Sequence, residues 1–431
     1  MPDFPPEKPA LKERLAQGLA ERIWLGWAAG GCLWLVWIVS VILGGGQYDA
    51  FNQLVFTDHL AFYSAASMIR DGRAAEIYDN QVMAQAQLEM VGERWQNKYE
   101  AYRNLPYYAL LYVPTARYPF IISAAIWCVV SILALLAGIY WLGAASFWRT
   151  AAWLFCFYPT FASISYGQNT PLSFAVLALT FLLLRRSGCF TSLDTISLPP
   201  QKLNRSLLLA AGLVAGLLSF KPTLLIGLAV WGLLDFRRLW PCLAGAGVTI
   251  LTLSGVSYWL IPQCWTAFFD SLANNASFDQ MEWWKNLTPR SFWRLLLGES
   301  AAIGPLTIAS SLLGVAWFFT IWRTSRSSLP TMFGATILLT LWATPHAMVY
   351  EWALLAIPAV IWWNDTSPKK NGLISAWTML FFFVGILALI GPHLSQFQLK
   401  FGPKAIHFCV LGFGWAGWLA GKWRVQSLRT A

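Results

Sequence analysis

Long apolar runs recur along the whole chain and are separated by mostly short polar intervals. A helix needs about 20 mainly apolar residues to cross a bilayer, because lipid offers no hydrogen-bond partner to the backbone. We therefore predict twelve spanning helices, with ten to thirteen as the range that the shorter runs allow. They cover residues 24–43, 120–142, 151–165, 170–184, 206–219, 222–234, 239–261, 301–321, 330–345, 347–363, 373–391 and 405–420.

The composition agrees with a membrane protein, since 57% of the 431 residues are hydrophobic and only 12% are charged. Soluble domains carry about 25% charged residues. The predicted class is an all-α integral membrane protein, a polytopic helical bundle without a large soluble domain. We divide the chain into an N-terminal segment 1–23, a single transmembrane domain 24–420 and a C-terminal tail 421–431.

Lys and Arg cluster in alternate loops of the twelve-span arrangement, and such residues are retained on the cytoplasmic side during insertion. One cluster runs from Arg185 to Arg205, and a second holds Arg237 and Arg238. We therefore predict a multi-pass protein of the inner, cytoplasmic membrane with both termini in the cytoplasm. This topology explains most of the net charge of +10, so no nucleic-acid partner is expected.

Two longer hydrophilic segments, 44–119 and 262–300, fall on the opposite, extracytoplasmic side. The first is long enough to form short helices that lie along the membrane surface. Apolar residues at helical spacing predict one helix over 59–70, which ends at Asp71 and Gly72, and another over 81–96. Residues 104–114 suit a further half-buried helix.

Five strings occur in an order typical of a known family: TDHLAFYSAASMIRDGRAAEIYD, NLPYYALLYVP, SYGQNTPLSFAVLALTFLLLRR, AGLLSFKPTLLIGLAVW and TPHAMVYEWALLAIP. Over residues 54 to 360 the chain resembles glycosyltransferase family 87, whose members resemble the bacterial polyprenyl-phosphate-mannose mannosyltransferases of the GT-C class. The chain also departs from the family in two places. Family members often have paired prolines where Tyr107 and Tyr108 follow Pro106, and an Asp where Glu351 stands.

The resemblance implies a GT-C-like fold and an inverting transfer of a sugar, by resemblance mannose, from a polyprenyl-phosphate donor to a glycolipid or glycan acceptor. The transfer is expected at the outer face of the cytoplasmic membrane, with the lipid bilayer supplying the donor. Asp58 matches the first-loop acid of the family and is expected to be the general base, with His59 as second choice. No cofactor is expected, and no metal site is indicated, since the outer loops contain no DxD motif.

The residues themselves leave other roles open for both side chains. Asp58 also suits the N-cap of the helix that follows, where a carboxylate accepts backbone N–H bonds. His59 also suits a surface hydrogen-bonding group.

Three further outward turns carry candidate substrate-binding residues. Lys221 interrupts an apolar stretch, where a cation needs a partner such as a lipid phosphate, or snorkels to the interface. The amides of Gln168 and Asn169 can bind sugar hydroxyls, or Asn169 can cap its turn. His346 and Glu351 either bind substrate or form a buried group in which Glu351 pairs with His346 or Lys221.

Tyr63, Arg70 and Tyr78 complete the first-loop pattern of the family and are further substrate-binding candidates, although Arg70 also suits a cation at a helix C-terminus. Trp283 and Trp284 offer flat faces to sugars or lipid head groups, with an interfacial amphipathic helix as the alternative.

A function of a different class also remains open, namely transport or flipping of a lipid-linked sugar. A transporter would place essential polar groups such as Lys221 and Glu351 along a pathway at mid-membrane, whereas an enzyme would concentrate them at the outer face around Asp58.

Overall fold

A computed structural model describes residues 23–96, 98–144, 146–190, 203–273 and 286–365. Several predicted features lie outside these residues. They are Trp283 and Trp284, the spans 373–391 and 405–420, nearly all of the N-terminal segment and the whole C-terminal tail.

The described residues form sixteen α-helices and no strand, which confirms the all-α prediction. The helices are α1 Ile23–Leu43, α2 His59–Arg70, α3 Asn80–Val91, α4 Pro106–Leu110, α5 Phe120–Trp141, α6 Phe147–Cys156, α7 Tyr158–Ser165, α8 Thr170–Arg186, α9 Arg205–Gly216, α10 Ile226–Leu234, α11 Phe236–Leu260, α12 Pro262–Ala273, α13 Pro289–Leu297, α14 Ile303–Ser325, α15 Leu329–Ala343 and α16 Ala356–Asp365. Short 3-10 turns connect several of them, notably Leu217–Phe220, Pro222–Leu225 and Val349–Leu355.

Within the described ranges, three helices are long and apolar enough to cross a membrane: α5, α11 and α14. Their apolar side chains are unusually exposed, since Leu133 on α5 is 59% exposed, Leu251 on α11 is 74% and Leu313 on α14 is 70%. An extended apolar surface of this kind needs a covering, and lipid tails supply it for a membrane bundle. Shorter apolar helices accompany these three, and the total of twelve spans stays a prediction.

One predicted span is not continuous. The run 151–165 divides into α6 and α7, because Phe157 takes an extended backbone with φ −77° and ψ 118°. Pro159 follows in the first turn of α7, and a proline has no N–H to donate back into the preceding turn. The prediction of one helix over 151–165 was therefore wrong.

The first-loop helices agree in part with their predicted bounds. Helix α2 runs over His59–Arg70, as predicted, and Gly72 behind it has φ +78°. Helix α3 ends at Val91 instead of residue 96, because Gly92 leaves the helical region with φ +87°. Tyr107 and Tyr108 of the short helix α4 are buried, whereas Leu111 is 52% exposed, so residues 104–114 are partly buried.

Two predicted spans, 206–219 and 222–234, meet at a break that holds a charged residue. Between the 3-10 turns Leu217–Phe220 and Pro222–Leu225, Lys221 has φ −128° and ψ 83°, which is not helical. The predicted span 347–363 likewise begins as the 3-10 turn Val349–Leu355 and only then becomes α16. Irregular backbone of this type is tolerated in membrane proteins where protein or a wet cavity surrounds it.

Helices α9 and α11 pack against each other along a glycine seam. A Cβ added at Gly212 would overlap the backbone of Cys242, and one added at Gly245 would overlap the backbone at Leu209. Small residues let two helix backbones approach closely, which is a common way to join helices in a membrane. Since α9 leads directly into the turn before Lys221, this seam supports one wall of the site described next.

Candidate active site

Asp58 lies on a turn that is bonded to a second turn far away in sequence. The backbone N–H of Asp58 donates to the carbonyl of Tyr166 at 2.9 Å, and that of His59 donates to the same carbonyl at 3.1 Å. The N–H of Phe56 donates to the carbonyl of Ser165 at 3.2 Å. The start of α2 is therefore held against the turn between α7 and α8.

The Asp58 carboxylate does not cap α2, because it accepts no hydrogen bond from the first turn of that helix. It accepts instead a 2.5 Å hydrogen bond from Nε2 of Gln168. The N-cap interpretation of Asp58 is thus not supported, and the structure brings two of the predicted site residues into direct contact.

Lys221 and Glu351 form an ion pair between the two irregular turns. The Glu351 side chain is 3% exposed, and its second oxygen accepts the backbone N–H of Met348. The Lys221 ammonium also lies 5.9 Å from the centroid of the Tyr350 ring, a distance suited to a cation–π contact. Of the two partners that the sequence left open for Glu351, the structure selects Lys221.

Asp58 and Lys221 belong to the same electrostatic environment. Burial lowers the pKa of the Lys221 ammonium to about 7, whereas the nearby Asp58 carboxylate raises it. The contact with Glu351 also favours the charged ammonium. Lys221 is therefore paired directly with Glu351 and is also influenced by the charge of Asp58.

His346 adjoins this cluster as a neutral group. Burial, together with the positive charges of Lys221 and Arg103, lowers its pKa to about 3. Its position is set by a short turn in which the Thr344 hydroxyl donates to the His346 carbonyl at 2.9 Å. His346 is thus near Lys221 but is not the partner of Glu351.

His59 is enclosed in the core. Its side chain is fully buried, its Nε2 lies 3.1 Å from the Ser123 hydroxyl, and its ring stacks on Trp127. Burial lowers the pKa of this imidazole to about 3, so it is neutral at physiological pH. This environment favours Asp58 over His59 as a group that exchanges protons with a substrate.

Gln168 and Asn169 are both nearly inaccessible, at 8% and 3% exposure. The Asn169 side chain makes no capping bond to α8 and lies beside the Tyr108 hydroxyl. The backbone carbonyl of Gln168 accepts the indole N–H of Trp127 at 3.3 Å. The amide of Gln168 is therefore fixed next to Asp58.

The remaining first-loop candidates bond elsewhere. The Tyr63 hydroxyl donates to the carbonyl of Tyr118 at 2.9 Å, and the Tyr78 hydroxyl donates to that of Asn104 at 2.7 Å. Arg70 pairs with Asp71 at 2.8 Å and donates to the carbonyl of Ala116. These bonds join parts of the first loop to one another, so a direct role in substrate binding stays a prediction.

Sequence reasoning did not single out three residues that the structure adds to the cluster. Tyr166 and Tyr350 both lie within the field of Asp58, and Arg103 acts on both His346 and Tyr350. Two of them had a signal in the sequence, because Tyr166 lies in SYGQN and Tyr350 directly precedes Glu351. Among the described residues, no group of three or more His, Cys, Asp or Glu side chains is arranged to hold a metal ion.

A comparison with known protein families matches only some of the segments that form the site. Residues 104–345 match glycosyltransferase family 87, and this range contains Gln168, Asn169 and Lys221. Asp58, His346 and Glu351 lie outside the matched range. No curated protein and no solved structure matches the chain. Because the match covers more than half of the 431 residues, the chain belongs to glycosyltransferase family 87, a family of membrane glycosyltransferases.

Proposed function

We propose that this glycosyltransferase uses a polyprenyl-phosphate sugar, with mannose as the sugar, and transfers it with inversion to a glycolipid or glycan acceptor. In this proposal Asp58 is the general base and Lys221 binds the donor phosphate. The active site faces the extracytoplasmic side of the cytoplasmic membrane, where donor and acceptor diffuse in the bilayer.

One observation carries the proposal: a carboxylate without a capping role, Asp58, and a cation, Lys221, occupy one electrostatic environment. Transfer from a sugar phosphate to a hydroxyl needs a base for the hydroxyl proton and a positive group for the departing phosphate. The two groups come from separate segments, and an irregular turn places each of them. Nearby neutral donors, such as the amide of Asn169, suit sugar hydroxyls.

The proposed reaction is a single displacement. The acceptor hydroxyl oxygen attacks the anomeric carbon while its proton passes to the Asp58 carboxylate. The bond between the anomeric carbon and the phosphate oxygen breaks, and polyprenyl phosphate leaves with the bonding electron pair. The Lys221 ammonium stabilises the charge that grows on this leaving group through a charge-assisted contact. Since attack and departure occur on opposite faces of the sugar, the configuration inverts.

The family membership supports a transferase in preference to a transporter. Lys221 is compensated by Glu351 and lies between two turns, not within a continuous helix. In this proposal the buried Lys221 ammonium, which is paired with Glu351, exchanges that carboxylate for the donor phosphate.

The proposal is tested by incubating purified protein with labelled polyprenyl-phosphate sugars and a lipid extract as acceptor. We expect release of polyprenyl phosphate that requires the acceptor, and a product whose anomeric configuration is opposite to that of the donor. The Asp58→Asn protein is the matched control for contaminating activity. Transfer from a nucleotide sugar, or no release from any polyprenyl-phosphate sugar, would overturn the proposal.

A further inference from the structure

The turn that holds Gln168 can adopt its shape only with glycine at position 167. Gly167 has φ +73°, and a Cβ added there would lie 2.7 Å from the Cβ of His59. A side chain at this position would thus strain the turn and push it away from the start of α2. The contact between the two turns is close as a direct result of this glycine.

The amide of Gln168 has one defined orientation. Its Oε1 lies 3.3 Å from the backbone N–H of Asn169 and accepts from it, which leaves Nε2 as the end that donates to Asp58. The residue is 8% exposed, and its backbone carbonyl accepts the indole N–H of Trp127. Because its Oε1 and Nε2 are both hydrogen-bonded, this side-chain amide points its N–H group in one direction and loses little entropy when the bond forms.

We infer that Gln168 is a positioning residue that holds the Asp58 carboxylate in the orientation required for proton transfer. The inference rests on the proposed function of Asp58 as the base. A base must meet the acceptor proton within hydrogen-bond reach and in the right direction. Three backbone bonds between the two turns place the Asp58 backbone, and the bond from Gln168 then fixes the plane of its carboxylate.

This role differs from direct binding of the sugar by Gln168. An amide that binds a sugar hydroxyl contributes to donor affinity, so its loss raises the donor KM. An amide that orients the base contributes mainly after binding, so its loss lowers kcat and leaves the donor KM unchanged. The two roles are therefore separated by steady-state kinetics.

The first experiment compares wild-type protein with Gln168→Leu, which keeps the approximate size but has no donor. We expect kcat to fall by about ten- to a hundredfold, since small misplacements of a catalytic group have effects of this order. Donor KM should stay within about twofold of wild type. Gln87→Leu is the matched control, because it removes a buried amide that donates to Ser64 and to the carbonyl of Glu100 and not to Asp58, and its kcat should fall less.

A second experiment reports on the contact without any turnover. Dicyclohexylcarbodiimide modifies protonated carboxyl groups in membranes, and peptide mass spectrometry locates the modified residue. Loss of the Gln168 bond removes a donor that favours the ionised carboxylate, so Asp58 in Gln168→Leu should be modified several times faster, by about three- to tenfold. Modification of Glu351 serves as the internal control and should not change.

The outcomes separate this inference from the proposed function. Equal modification of Asp58 in both proteins would overturn the inference, as would faster modification with an unchanged kcat. A raised donor KM with unchanged kcat would assign Gln168 to sugar binding instead. A wild-type protein that uses no polyprenyl-phosphate sugar would overturn the proposed function, while the modification experiment would still test the contact.

Discussion

The two acidic side chains of the site, Asp58 and Glu351, are held in opposite ways. Glu351 is 3% exposed as a side chain, pairs with Lys221 and accepts the N–H of Met348, so both of its oxygens have strong partners. Asp58 is half-buried and receives a side-chain bond from a neutral amide. The described contacts therefore differ, with a direct ion pair for Glu351 and an amide hydrogen bond for Asp58, which acts on Lys221 through its charge.

The difference indicates that Asp58 and Glu351 have different roles. Glu351 holds the Lys221 cation in place, and the proposed role of Asp58 is to take up a proton and release it again. Acidity alone does not distinguish the two residues in the sequence, but their partners do. Substitutions at Asp58, Glu351, Lys221 and His59 test this contrast.

The largest effect is expected for Asp58→Asn. Asn has the same size and cannot accept the acceptor proton, so turnover should fall by about a hundredfold to ten-thousandfold. Folding should be retained, because the carboxylate makes no capping bond to α2. Turnover is measured with saturating donor, and folding by the unfolding transition in detergent. Turnover within a few-fold of wild type would remove Asp58 from the mechanism.

Glu351→Ala should instead reduce stability. It leaves the mostly buried Lys221 ammonium without its direct partner, and breaking a buried pair in this way costs about 3 to 5 kcal/mol. Denaturant unfolding in mixed micelles measures the loss. Glu351→Asp, which keeps the charge, should recover part of it, and Asp58→Ala should cost less, about 1 to 3 kcal/mol, for the Gln168 donor that it leaves without this acceptor. A similar loss in Asp58→Ala would contradict the contrast.

Lys221→Ala should weaken use of the donor by about ten- to a hundredfold in kcat/KM, the range for loss of a hydrogen bond to a charged group. Lys221→Arg should retain part of this because the positive charge remains. The measurement is the dependence of the rate on donor concentration. Unchanged donor kinetics in Lys221→Ala would show that Lys221 serves only as the structural partner of Glu351.

The smallest effect concerns His59, next to Asp58 in sequence. Burial lowers its pKa to about 3 in the folded protein, from 6.5 in the unfolded chain. Between these values only the unfolded chain binds the proton, so stability should fall as the pH drops below about 6.5. The slope from this residue is about 1.4 kcal/mol per pH unit. The unfolding transition of His59→Gln should therefore depend less on pH between 7 and 5 than that of wild type; an equal dependence would contradict the shift.

Local features of the fold were predictable from the sequence. Helix α2 begins at His59 and ends at Arg70, where Asp71 and Gly72 signal the end. The division of 151–165 at Phe157 was also within reach, because Pro159 interrupts the hydrogen bonding of any helix through it. Local rules act over a few residues, and these features need no more.

The contacts of the site were not predictable in the same way. Gln168 and Asp58 are 110 residues apart, and Lys221 and Glu351 are 130 residues apart. A single sequence can identify each of these residues as unusual for its apolar surroundings. It cannot rank their possible partners, since the ranking depends on how the helices pack. For that reason Gln168 was predicted to bind sugar, and its bond to Asp58 was not foreseen.

The glycine seam between α9 and α11 makes the position of the Lys221 ammonium depend on helix contact and not on loop length. Gly212 leaves no space for a methyl group beside Cys242, so the close contact of the two helices depends on glycine at this position. The chain passes from this seam to Lys221 through a single 3-10 turn. A methyl group at Gly212 would therefore act at a distance, displacing the ammonium relative to the bilayer without altering any residue that meets the substrate.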